Sequence, residues 1–106
     1  MICAVTIRIL KPGSFEQFRK EWEPRPWPPG LTRVVISRNE QDPNQVLTAS
    51  FLDISVDQLD ALRDDPDLLG AEENRLARIA QHEEALVYKG FFEVVEDLTP
   101  PVTTSD

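Results

Sequence analysis

Apolar side chains alternate along ICAVTIRI (2–9), with Cys3, Val5, Ile7 and Ile9 on one side and Ala4, Thr6 and Arg8 on the other. Period two with many β-branched residues predicts a strand. Pro12-Gly13 turns the chain, and from Ser14 the period changes. Phe15, Phe18 and Trp22 recur at i, i+3 and i+7, one helical stripe that must stop before Pro24. Ser14 and Gln17 have the spacing of a capping box at its start.

LTRVVISR (31–38) and VLTASFLD (46–53) predict a second and a third strand, and the polar NEQDPNQ (39–45) between them a turn, so the pair is a hairpin. Ser55 and Gln58 repeat the capping-box spacing. Leu59 and Leu62 open a second helix, which Asp64-Asp65-Pro66 interrupts and restarts. Leu69, Leu76, Ile79 and Ala80 continue a helical stripe, expected to reach about residue 85, and VYKGFFEVVE (87–96) predicts the fourth strand. LTPPVTTSD (98–106) has no periodicity, so one domain over 1–97 with a flexible tail over 98–106 is expected.

The order β-α-β-β-α-β is the ferredoxin-like pattern of the α+β class, an antiparallel four-stranded sheet with its helices on one face. Strand four presents Val87, Phe91 and Val95 on one side and Tyr88, Phe92 and Val94 on the other, so neither side reads as solvated. Strand two does the same with Val35 opposite Val34 and Ile36. A bare second sheet face would expose more apolar surface than soluble monomers tolerate. The expected cover is a second copy, giving a homodimer that pairs sheet on sheet as a dimeric α+β barrel.

Between the first helix and the second strand lies EPRPWPPG (23–30), four prolines and a glycine around Trp27. Prolines fix φ and remove donors, so the segment is a stiff connector. It is read as a lid holding Trp27 over a sheet–helix cavity, with a plug sealing the core or gripping the partner subunit as the other reading. A proline-rich ligand for another protein's groove fits less well, since elements of one domain frame the stretch.

Composition narrows the function classes. In 106 residues, 41 % hydrophobic, there is enough apolar material for a core without staples. Eleven basic against nineteen acidic residues give a net charge of −8, with no basic run interleaved with aromatics, which argues against nucleic acid and against anionic membrane surfaces as partners. Cys3 stands alone, so no internal disulfide or thiolate cluster forms, and a reducing, cytoplasmic setting is expected. No metal constellation and no Gly-rich phosphate loop is visible, and no cofactor is expected.

The run VLTASFLDISVDQLDALRDDPDLLGAEENRLARI, preceded by PPGLTRVVISRNEQDPN, resembles the small dimeric α+β-barrel proteins of the antibiotic biosynthesis monooxygenase (ABM) type. The likeness lies in a Pro-Gly-hydrophobic step into strand two, an Asp-Pro turn before strand three, and a capped helix broken at a proline. It covers roughly residues 2–96. It implies a cofactor-independent monooxygenase acting on an aromatic or polyketide-like small molecule, or a non-catalytic dimeric binding or assembly module of the same fold. Haem-degrading members carry a histidine ligand where this chain has Glu72, Glu73 and Asn74, so the resemblance does not extend to haem. Oxygenases of the type often carry a tryptophan near the end of strand three, where this chain has Phe51, and strand one lacks the histidine that cyclase-like members use.

The candidate catalytic residues are Glu83, His82 and Tyr88. His82, the one histidine, titrates near neutrality and lies about 120° from the stripe centred on Leu76, either on a solvated flank or at a pocket. If the helix continues, Glu83 points inward and desolvation would raise its pKa toward that of a general base; if the helix frays, it reaches water. Tyr88 either donates to a ligand oxygen or packs in the barrel interface. Candidate ligand-binding residues are Trp22, which otherwise is core, Trp27, Arg33 and Phe51. Arg8, Arg33 and Arg38 are strand cations that would hold an enolate or carboxylate if they point inward, and pair with acids or sit at strand ends if they do not.

Overall fold

A computed structural model of the chain describes residues 1–102. In order, its elements are β1 (Ile2–Leu10), α1 (Phe15–Trp22), β2 (Leu31–Arg38), β3 (Gln45–Leu52), α2 (Val56–Arg63), α3 (Pro66–Ala80) and β4 (Glu83–Glu93). The strands form one antiparallel sheet in the order β2-β3-β1-β4, the ferredoxin-like arrangement that the element order implies. The break at Asp64-Asp65-Pro66 divides the expected second helix into α2 and α3.

Period two assigns each side chain of the sheet to a face. Ile2, Arg8 and Leu10 are buried on the helix side, where the register brings Val46, Thr48, Ser50 and Leu52 of β3 beside them. Two apolar clusters fasten the helices there. Leu10, Phe18, Trp22, Val46 and Ile79 form one, and Ile2, Leu52, Ile54 and Leu59 form the other. Between them the sheet carries Ala4, Thr6, Thr48 and Ser50, whose short side chains fill little of the space below the helices.

On the opposite face lie the more apolar members of the same alternation, including Val5 and Ile7 of β1, Val35, Phe51, and Tyr88 and Phe92 of β4. Tyr88 and Phe92 stack with ring centroids 6.1 Å apart and stay 43 % and 48 % exposed. The Tyr88 ring also covers Gly90, where an added Cβ would collide with it.

The helix starts are not equivalent. At α2 the Ser55 hydroxyl accepts from Gln58 N (3.1 Å) while Gln58 Oε1 accepts from Ser55 N (2.8 Å), the full capping box. At α3 the Asp65 carboxylate accepts from Asp67 N and Leu68 N ahead of Pro66 in the first turn. The box expected at Ser14 and Gln17 does not form. Ser14 adopts helical angles (φ −94°, ψ −1°), and its side chain makes no cap hydrogen bond.

The end of the second helical region also differs from expectation. The helix stops at Ala80 and β4 starts at Glu83, not near residues 85 and 87. The reason is a turn at Gln81-His82: His82 N donates to Ile79 O (3.0 Å), and the His82 carbonyl accepts from Lys11 N (2.9 Å). That bond sets Glu83 opposite Leu10 and draws Glu83–Leu86 into the sheet through two register shifts that blur the strand period. β4 ends at Glu93, after which Val94 N still donates to Met1 O (2.9 Å). Residues 94–102 form no helix or strand, and the last four positions of the expected tail, 103–106, lie outside the described residues.

The caps make a paired prediction. Ser55→Ala should lower unfolding free energy by about 1 kcal/mol, and Ser14→Ala by well under about 0.5 kcal/mol, measured by urea denaturation. Equal losses would mean that Ser14 caps α1 after all.

Candidate functional site

The gap between the two apolar clusters is a cavity of about 360 Å³, within the usual size of small-molecule sites. Its floor is two rows of the sheet in register, Thr48-Thr6-Lys89 and Ser50-Ala4-Phe91. Leu59 and Leu62 of α2 and Leu68, Ala71 and Glu72 of α3 form the roof. Trp22 and the connector prolines Pro24, Pro26 and Pro28 close one side. Gly30 ends the connector with φ +80°, and a Cβ there would come 2.7 Å from Ile54 Cγ2, so the chain can press against the cluster only with glycine.

Arg8 is the unusual member of the floor. It is 3 % exposed, with its guanidinium carbon 5.8 Å from the centroid of the Phe18 ring. Glu83 Oε2 lies 3.3 Å from Nε, close enough for an ion pair, yet the alignment of a hydrogen bond is missing and Nε has no other partner. Burial lowers the Arg8 pKa, and the Glu83 charge opposes that shift. A guanidinium stays protonated under such shifts, so a positive charge sits in a largely apolar cavity.

On α3 the Glu72 carboxylate takes a forked pair of hydrogen bonds from Arg75, one of them 3.0 Å from Nε. Burial pushes the Glu72 pKa up, but the Arg75 bonds and the charges of Arg75, Lys89 and Arg8 outweigh it, and the net shift is downward. Arg75 also donates from Nη1 to Trp22 O (3.2 Å) and lies over the Trp22 ring, while Arg78 donates to Glu23 O (3.4 Å). These two arginines satisfy carbonyls at the end of α1 and fix where the connector begins.

Of the seven candidate residues, Trp22 alone lines the cavity. Trp27 stands outside the proline wall, 50 % exposed, with its ring 6.3 Å from that of Trp22; the connector closes the cavity with prolines, and Trp27 backs the wall. Arg33 stacks on Phe51 at 5.9 Å on the opposite sheet face, which also carries Tyr88. His82 Nε2 lies 2.8 Å from Glu21 Oε2 and ties the β4 turn to α1, away from the cavity. Glu83 points inward, as the extended helix would have had it, but from a strand and onto Arg8.

Among the strand cations, Arg8 faces the cavity, Arg33 the open face, and Arg38 lies over the Phe15 ring at 4.6 Å. Thr6, Thr48, Ser50, Arg63 and Lys89 are cavity residues that the pattern did not single out. The available signal was Ile2 and Leu10, large apolar ends of the same alternating set that holds Ala4, Thr6 and Arg8.

Solved structures share this arrangement of strands and helices. A candidate antibiotic biosynthesis monooxygenase from Chloroflexus aurantiacus superposes with a TM-score of 0.66 at 17 % identity, covering 92 % of this chain and 96 % of that one. The chain has the ABM fold. A variant of SnoaB, a cofactor-independent oxygenase from Streptomyces nogalater, gives a TM-score of 0.66 at 14 % identity over 93 % of this chain and 97 % of that one. A second candidate antibiotic biosynthesis monooxygenase, from Bordetella bronchiseptica, gives 0.66 at 13 % identity over 90 % and 97 %. No protein-family model and no curated protein sequence matches the chain, so the likeness is one of fold. No described helix is long and apolar enough to cross a membrane.

The Glu72 shift predicts a pH dependence. A carboxylate whose folded pKa is depressed adds stability that is complete above its unfolded value, near 4.5, and is lost as pH falls through the lower folded value. The difference in unfolding free energy between the wild type and Glu72→Gln should be constant above about pH 6 and shrink below about pH 4.5. Urea titrations at stepped pH check it, and a difference that grows on acidification would refute the assigned direction.

Proposed function

We propose that the cavity is the site of a cofactor-independent oxygenase acting on an aromatic, polyketide-like molecule. The observation that carries this reading is an apolar chamber between sheet and helices with the buried Arg8 guanidinium in its floor. Leu59, Leu62 and Trp22 offer flat apolar contact for fused rings. A cation in that setting favours the ionised form of an acidic phenol or enol. Such an anion is electron-rich enough to react with O2 directly. Oxidation of a ring CH2 to C=O by O2 with release of H2O balances without an outside reductant, since the carbon supplies the four electrons that O2 accepts. Orientation and charge stabilisation are then what the chain contributes.

A second reading, a binding module without catalysis, is favoured by one feature. Glu72 is the sole carboxylate among the lining residues, and a depressed pKa makes it a weak proton acceptor. In either reading the chain works as a homodimer paired through the open sheet face, in a reducing, cytoplasmic setting that the lone Cys3 fits.

Oxygen uptake with a fused-ring quinol-type ketone tests the reaction. The oxygenase reading expects one O2 consumed per product, and at least tenfold less with Ser50→Leu, which fills the floor beside Ala4. Quenching of tryptophan fluorescence by the same compound without oxygen uptake would select the binding module. For assembly, sedimentation equilibrium should give a dimer for the wild type and a monomer for Phe92→Asp, whose charge would be buried unpaired in the joined faces. A monomeric wild type would refute the pairing.

A further inference from the structure

Charge is distributed unevenly around the cavity. Five of the eleven Lys and Arg residues line it, Arg8, Arg25, Arg63, Arg75 and Lys89, against one of the nineteen acidic residues, Glu72. In a chain of net charge −8 this is a local reversal of sign. The five do different things. Arg75 is occupied by Glu72 and the Trp22 carbonyl, and Arg25, Arg63 and Lys89 are solvent-exposed, where they set a positive potential for approaching anions. Arg8 alone is both buried and short of a hydrogen-bond acceptor at Nε, where Glu83 Oε2 at 3.3 Å makes an ion pair without hydrogen-bond alignment. A desolvated guanidinium with unfilled donors is strongly penalised unless an acceptor completes it.

We propose that the cavity selects an apolar acid, a flat aromatic or hydrocarbon body carrying one carboxylate, with the carboxylate held by Arg8 in the floor. This rests on the reading of the cavity as the ligand site and names the group the ligand must carry. The body is apolar because Leu59, Leu62 and Trp22 surround it. The anion is single because Glu83 already offsets part of the Arg8 charge and no second buried cation is free, so a phosphate dianion would keep a charge unmatched. It is planar because a guanidinium presents its donors as a fork that a carboxylate matches.

Titrating 2-naphthoate and its neutral isostere 2-naphthamide against the full chain at pH 7.5, by calorimetry and Trp fluorescence, tests the inference. The acid should bind at least tenfold tighter than the amide, and in Arg8→Gln the preference should fall to within twofold while the amide still binds. If Arg8→Gln does not fold, the double variant Arg8→Met/Glu83→Gln removes both charges of the buried pair and serves the same comparison. Equal binding of acid and amide by the wild type, or a preference that survives loss of Arg8, overturns the inference and leaves the cavity reading standing. Binding of neither compound, together with no binding of the quinol-type ketone, overturns both.

Discussion

The helices of this protein touch its sheet at two ends and not in the middle. Leu10, Val46 and Phe18 anchor one end, Ile2, Leu52 and Leu59 the other, and the short side chains of Ala4, Thr6, Thr48 and Ser50 leave the middle unfilled. A chamber at the centre of the sheet forgoes the apolar burial that close-packed side chains would give there. The two clusters must therefore hold the fold on their own, with residues such as Phe18 at 0 % exposure contributing about 3–5 kcal/mol each. The chamber depends on this division of the sheet into fastened ends and an open centre.

Holding the cavity open requires walls that do not collapse into it. Arg75 and Arg78 grip the last carbonyls of α1, so the connector starts from a fixed point on α3. Gly30 fixes the other end against Ile54 through a positive φ. Between these two points four prolines limit the backbone, and three of them face the chamber. The wall is stiff because its flexibility is already restricted in the unfolded chain, which lowers the entropic cost of ordering it.

Element types and order were legible in the sequence because period and punctuation agreed. The strand of 31–38 fills the run between Gly30 and the polar turn at 39–45, and the Asp65-Pro66 break falls between α2 and α3. The face of β1 was not legible in the same way. Cys3, Val5, Ile7 and Ile9 form the more apolar set, yet they face away from the helices, because the second face of this sheet is as apolar as the first. That same ambiguity placed Arg33, Phe51 and Tyr88 among site candidates when they belong to the open face. At the end of α3, Ile79 and Glu83 are four apart, and only the backbone bond between His82 and Lys11, formed across the fold, shows that a strand has begun.

Arg8 is the residue that stability considerations leave unexplained. It lies between Leu10 of one cluster and the small side chains of the floor, and its partner Glu83 enters from a bulged edge strand. Replacing a buried ion pair with apolar side chains of similar volume is often neutral or stabilising by about 1–4 kcal/mol. A methionine at position 8 would extend the Leu10 cluster without any need for Glu83. The imperfect alignment of the pair weakens its own contribution further, since charge-assisted bonds depend on geometry. For a cation under those conditions, at the edge of a chamber walled by Leu, Trp and Pro, the proposed carboxylate ligand would supply the acceptor that Nε lacks.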